Sequence, residues 1–220
     1  MRLGITLRIV GILLMLFSLW MLPPWLVSVI YNDGAARAFS NAFMYTLASG
    51  VLLWLPFRTE NRDVRTKDGF VITASFYLAL GSFGAIPLLD AGGINLGFVD
   101  ALFESFSGLT TTGATVLTGI DDLPESILYY RQQLQWLGGM GIIVMAVAIL
   151  PMLGIGGMQL YRTETPGPMK DSKLTPRITQ TALALWSIYI GITTACTLCY
   201  WVAGMSFFDA LCHSFSTVAI

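Results

Sequence analysis

Between apolar stretches long enough to cross a bilayer, this chain carries one that is too short. Phe98 to Leu117, FVDALFESFSGLTTTGATVL, starts apolar, holds a carboxylate at Glu104 and runs into Thr110-Thr111-Thr112-Gly113-Ala114-Thr115. Its apolar part has about 12 residues, against the roughly 20 that a spanning helix needs. A short helix followed by a Thr/Gly loop, held between two spanning helices, has the layout of a re-entrant pore loop. Non-helical backbone at membrane depth persists only when it is buried in protein or lines a water-filled path. The loop is therefore a candidate ion site.

The composition agrees with a membrane setting. Hydrophobic residues make up 55% of the chain and charged residues 11%, with mean hydropathy +0.70; a soluble domain carries roughly 25% charged residues. The net charge of -1 says little about partners, because here the placement of charge matters more than its sum. No nucleic-acid partner is expected, and the lipid bilayer is. Cys196, Cys199 and Cys212 sit in apolar surroundings and read as small packing residues. No His/Glu metal set, Ser/Lys pair or aspartate dyad falls inside the spans, so an enzyme is not expected.

Five spans are expected. Ile5 to Ile30 is the first, too long for the core of a cleaved signal. Pro23-Pro24 should end its helix near Leu22. The second runs from Phe43 to Phe57, the third from Phe70 to Leu89, the fourth from about Leu134 to Leu153 and the fifth from about Thr181 to Ala203. The fourth has Gly138, Gly139 and Gly141 early and Gly154, Gly156 and Gly157 late, which suits close helix packing or a hinge. Three units follow: residues 1–69 with two leading helices and a basic loop, 70–160 with a helix, pore loop and helix, and 161–220 with a basic loop, a helix and a further short apolar stretch.

Lysine and arginine favour the cytoplasmic side. With the N-terminus inside, Arg2, Arg8, Arg58, Arg62, Arg65, Lys67, Arg162, Lys170, Lys173 and Arg177 lie in the cytoplasm, leaving Arg37 and Arg131 outside. The pore loop is then entered from the outer face.

The short stretch recurs. Phe98 to Ser107 aligns with Phe207 to Ser216 at an offset of 109 residues, with seven of ten positions identical. Each copy follows an outward-going helix and a basic loop, so the repeat is parallel, as a central pore requires. Asp100 and Asp209 fall where each short helix should begin, where a carboxylate caps free N–H groups and suits the positive end of the helix. Glu104 lies in mid-helix, which is costly at membrane depth unless it is paired or hydrated. It either hydrogen-bonds the loop backbone or attracts a cation directly. His213 takes the matching place in the second copy and reads as a hydrogen-bonded packing residue.

A dehydrated potassium ion needs oxygens to replace its water shell, and rings of backbone carbonyls supply them in potassium filters. The backbone must then adopt unusual dihedrals, which glycine permits. Gly113 is suited to that, flanked by Thr111, Thr112 and Ala114, so K+ is expected at Thr111, Thr112 and Gly113. One glycine, against two in the TVGYG loop, implies a shorter cage and looser selectivity.

Three motifs carry a resemblance: FESFSGLTTTGAT at Phe103 to Thr115, QWLGGMGIIV at Gln135 to Val144 and ETPGPMKDSKLTPR at Glu164 to Arg177. With the second short helix they cover the chain from about Phe98 onward. They resemble the Trk/Ktr/HKT superfamily of potassium transporters, and the extra leading helix pair is similar to the Trk branch. The resemblance implies an all-α membrane protein with two leading transmembrane helices, then parallel helix–pore loop–helix repeats of potassium-channel type, one complete here and a second truncated. It implies four such repeats around one potassium path, no covalent cofactor, K+ as the transported ion, and a homodimer in the bacterial inner membrane with its N-terminus cytoplasmic. It also implies a cytoplasmic nucleotide-binding regulatory subunit of the TrkA type. Carried onto this chain, the first filter falls on Thr111, Thr112, Gly113 and Ala114, and the approach to the second on Ala219 and Ile220. A longer protein is expected, of which this is an N-terminal portion. The alternative is a non-conducting membrane scaffold or assembly fragment.

Overall fold

The computed structural model describes residues 3–59, 66–91, 96–152 and 174–219. Among them every regular element is helical: α1 (Leu3–Leu19), α2 (Leu22–Tyr31), α3 (Ala36–Trp54), α4 (Thr66–Gly84), α5 (Ile86–Asp90), α6 (Phe98–Leu109), α7 (Glu125–Met152), α8 (Leu174–Val202) and α9 (Phe207–Ala219). Arg2, Arg62, Arg65, Gly154, Gly156, Gly157, Arg162, Lys170, Lys173 and Ile220 lie outside the described residues.

Among the described residues four stretches are long and apolar enough to cross a membrane: Leu3–Tyr31, Ala36–Phe57, Val71–Asp90 and Leu183–Val202. The second begins seven residues before the expected Phe43. Ala38, Phe39 and Ala42 are buried at helical spacing while Arg37 and Ser40 face outward, so polar residues hide the start of the helix from an apolar count. The fourth expected span falls within α7, which begins at Glu125, ahead of Leu134. Arg131, Gln132, Gln133 and Gln135 lie in its first half, and all four are at least half-buried against protein.

Proline explains both interrupted helices. Pro23 and Pro24 lack the N–H that would bond one turn back, so α1 stops at Leu19 and α2 restarts with the prolines in its first turn. That stop is three residues earlier than the expected Leu22. Pro87 sits likewise in the first turn of α5.

Glycine contacts set the packing. A Cβ on Gly11 would stand 2.7 Å from the Gly50 carbonyl, so α1 and α3 touch backbone to backbone. Around α6, Gly81 of α4 makes room for the Phe106 ring and Gly84 for Ser105 Oγ, where added Cβ atoms would come within 2.4 and 2.5 Å. The main core gathers Leu14, Phe17, Met21, Phe39, Leu88, Ile127, Tyr130 and Leu134 from α1 to α7. A second cluster of Trp136, Met140, Tyr189 and Phe215 joins α7, α8 and α9, with Trp136 stacked on Phe215 at 5.2 Å.

Candidate functional site

The 12 residues of α6 reach about 18 Å at 1.5 Å per residue, too short for the hydrocarbon core. Their far end meets the middle of α7: a Cβ on Gly138 would lie 2.3 Å from the Leu109 carbonyl. The end of α9 arrives beside it, with Ala219 Cα 3.1 Å from the Cβ position of Gly139. Two adjacent glycines, fourteenth and fifteenth in the 28 residues of α7, thus seat both short helices.

Beyond Leu109 the chain turns by a Schellman-type closure. The Thr112 N–H donates to the Ser107 carbonyl at 3.0 Å and the Thr111 N–H to that of Gly108 at 2.9 Å. Thr111 occupies the left-handed position usually given to glycine, at φ +56°. A β-branched residue there is an outlier that local structure must enforce. Gly113 is also left-handed, at φ +70°. Among the described residues no hydrogen bond reaches the carbonyls of Thr111, Thr112 or Gly113. The Ala114 carbonyl differs, accepting from Ser107 Oγ at 2.6 Å. Residues 112–116 are exposed along this strand.

Glu104 holds the strand from behind. Its side chain is 2% exposed. Oε1 accepts from Thr115 Oγ1 at 2.5 Å and from the Val116 N–H at 2.7 Å, and Oε2 from Arg131 Nε at 3.1 Å. The carboxylate is thereby satisfied by the loop that follows Gly113 and by a cation on α7, which answers the cost of a charge at this depth. Of its two candidate roles, the structure displays the hydrogen bonds to the loop.

The second copy is built differently. His213 is exposed, and its ring meets Tyr200 edge-on at 6.4 Å. Among the described residues that ring makes no hydrogen bond. Asp209 does not begin α9; it stands third, where Ser206 Oγ donates to its Oδ2 at 2.7 Å and accepts its N–H at 3.1 Å. This reciprocal cap makes Ser206 the capping residue. Asp100 stands third in α6, whose cap position is Gly97 with no side-chain hydrogen bond. It sits near the positive helix end without capping it. Ala219 is the last residue of α9.

The model of the family described as TrkH, cation transport protein, matches residues 35–219. The chain belongs to the TrkH family of cation transport proteins. The Trk system potassium uptake protein TrkH of Halomonas elongata is 63% identical over all of this chain and 46% of its own length. That of Escherichia coli is 58% identical over 97% of this chain and 44% of its own. The crystal structure of the potassium transporter TrkH from Vibrio parahaemolyticus superposes with a TM-score of 0.86 at 51% identity, covering 99% of this chain and 43% of that one. The chain thus spans under half the length of these TrkH relatives.

Within this TrkH-type fold, four residues matter that the motifs alone left unmarked. Arg131 counted only as an outside cation, yet it pairs with Glu104. Ser107 anchors the strand through both its hydroxyl and its carbonyl; its recurrence as Ser216 was the available signal. Tyr130 and Gln133, adjacent on α7, bond the carbonyls of Gly84 and Trp20 at 2.8 and 2.6 Å. No sequence spacing links those pairs.

Proposed function

We propose that this chain supplies the first carbonyl-bearing strand of a potassium uptake path, with K+ held by Thr111, Thr112 and Gly113. What carries the reading is the strand itself: two left-handed residues, three carbonyls with no intramolecular partner, and a buried carboxylate fixing the backbone just beyond. Free carbonyls that face a water-filled path can replace the hydration shell of a cation. One strand cannot ring an ion, so the path is completed by further loops of a longer protein, arranged as four pseudo-symmetric repeats. Ala114 lies at the rim of this site, and Ala219 and Ile220 lead to the second strand. The names of the relatives, Trk system potassium uptake proteins, support potassium as the ion.

The setting follows from the same reading. The chain lies in a bacterial inner membrane with its N-terminus cytoplasmic, in a homodimer, regulated by a nucleotide-binding subunit of the TrkA type on the side of the basic loops.

The test is Gly113→Ser in the complete transporter, at matched amounts in the membrane. An L residue at this φ carries a strain of about 1–2 kcal/mol, so potassium uptake falls or the preference for K+ over Na+ drops. Unchanged uptake and unchanged preference would remove the filter role and favour the scaffold reading.

A further inference from the structure

Two backbone carbonyls inside the apolar spans are left open where the helices break near proline. Pro24 has no N–H for Trp20 one turn back. At the second break the Leu88 N–H bonds the Ala85 carbonyl at 3.1 Å, leaving that of Gly84 free. Such groups are costly where no water reaches. Both are closed from α7, Trp20 by Gln133 Nε2 at 2.6 Å and Gly84 by the Tyr130 hydroxyl at 2.8 Å. Tyr130 is 0% exposed and Gln133 1%.

Gln133 is a poor choice if it serves only to fill space. Among the described residues its Oε1 has no partner, and an orphaned buried oxygen is destabilising. Methionine would fill the same volume without that orphan. What the position uses is the amide donor. Arg131 lies between Tyr130 and Gln133 in the same turn and reaches Glu104, which holds Thr115 and Val116 beyond Gly113. A shift of α7 that relieved either open carbonyl would carry Arg131 with it.

We propose that Gln133, aided by Tyr130, is a positioning residue for the cation path: it docks α7 on the proline breaks of the preceding helices and so fixes the Arg131–Glu104 hold on the strand after Gly113. This rests on reading Thr111 to Gly113 as the cation-lining strand. The leading helices α1 and α2 then act as part of the support of that strand, through the Trp20 carbonyl.

The experiment uses the complete transporter and follows potassium uptake against external K+, with and without competing Na+. Gln133→Met removes the donor and keeps the length. The apparent KM for K+ should rise about tenfold, the worth of one lost buried hydrogen bond, with the preference over Na+ falling and the maximal rate per inserted transporter changing less. Gln133→His, which keeps a ring N–H, should recover much of the loss. In a Glu104→Gln background Gln133→Met should add nothing, since both act through one contact. Should Gln133→Met fail to insert, Tyr130→Phe removes a single oxygen and reads the same coupling. Unchanged KM and preference in the inserted variants, or full additivity with Glu104→Gln, overturns the proposal. Gly113→Ser in parallel separates the two levels. If it alters preference while the α7 variants do not, the docking role fails and the strand reading stands; if it is silent, the strand reading itself fails.

Discussion

The two short helices share seven of ten residues at their starts, yet they are held in opposite ways. α6 is fixed by charge: Glu104, buried, ties the following strand to Arg131 on α7. α9 is fixed by hydroxyls: Thr197 Oγ1 meets Ser214 Oγ at 2.7 Å, Tyr200 meets Thr217 at 2.9 Å, and Ser206 caps the helix. At the one position where the copies differ in charge, Glu104 is enclosed and His213 exposed. The shared residues build the helix and pack it on the one before, Ser105 against Gly84 of α4 and Ser214 against Thr197 of α8. The differing residue decides whether the strand beyond is tied from behind.

The largest effect expected from that contrast comes at the differing position itself. Glu104→Gln leaves the Arg131 guanidinium, 11% exposed, without its counter-charge. Breaking one side of a buried pair costs about 3–5 kcal/mol. His213→Gln, at an exposed site, should cost about 0.5 kcal/mol or less. Thermal melting of the two variants in detergent compares them directly. Equal losses would show that both copies are tied by their central side chain, and the contrast would be gone.

A smaller difference is expected at the seats on α7. Gly138→Ala drives a methyl to 2.3 Å from the backbone carbonyl of Leu109, which cannot swing aside. Gly139→Ala meets the Tyr189 hydroxyl at 2.8 Å and Ala219 Cα at 3.1 Å, where a side chain can yield part of the room. Overpacking of this kind costs about 1–3 kcal/mol, with Gly138→Ala at the upper end. Uptake and melting should both rank Gly138→Ala below Gly139→Ala; the reverse order would place the tighter seat under α9.

Much of this was readable along the chain because membranes impose simple rules. The length of each apolar run and the two prolines at Pro23 and Pro24 revealed the helical architecture and the short helix that precedes the Thr/Gly strand. The repeat exposed α9. Three things stayed hidden. The start of α3 was missed because Arg37, Ser40 and Asn41 dilute a face that packs on protein rather than lipid. The polar face of α7 was missed because its partners are backbone carbonyls and a carboxylate far away in sequence, with Gln133 and Trp20 separated by 113 residues. A side chain whose partner is main chain leaves no complementary residue type to find. Gly113 was marked for its freedom of φ, but Thr111 was not expected to share it. Its left-handed turn is enforced by the helix closure at Ser107 and Gly108, which no propensity of threonine predicts.

The smallest expected effect concerns a second acidic hold on α7, at its N-terminal end. Asp33, in the turn after α2, accepts the Ser126 N–H at 2.9 Å through Oδ2 and the Ala35 N–H at 3.1 Å through Oδ1, which also meets Ser28 Oγ. It caps α7 from the turn after α2, whereas Glu104 holds the same helix at Arg131. Burial pushes its carboxyl pKa up, hydrogen bonds from Ser126, Ser28 and Ala35 pull it down, and the net is below the ordinary value. A carboxyl depressed in the folded state contributes stability above its unfolded pKa and loses it as pH falls through the folded one. The melting midpoint should therefore be level from neutral pH to about 5 and decline below about 4, the ordinary aspartate range. Asp33→Asn should melt lower at neutral pH and show a shallower acid decline. If its decline matches that of the unaltered protein, Asp33 is not held as a carboxylate, and Glu104 stands as the sole acidic tie on α7 among the described residues.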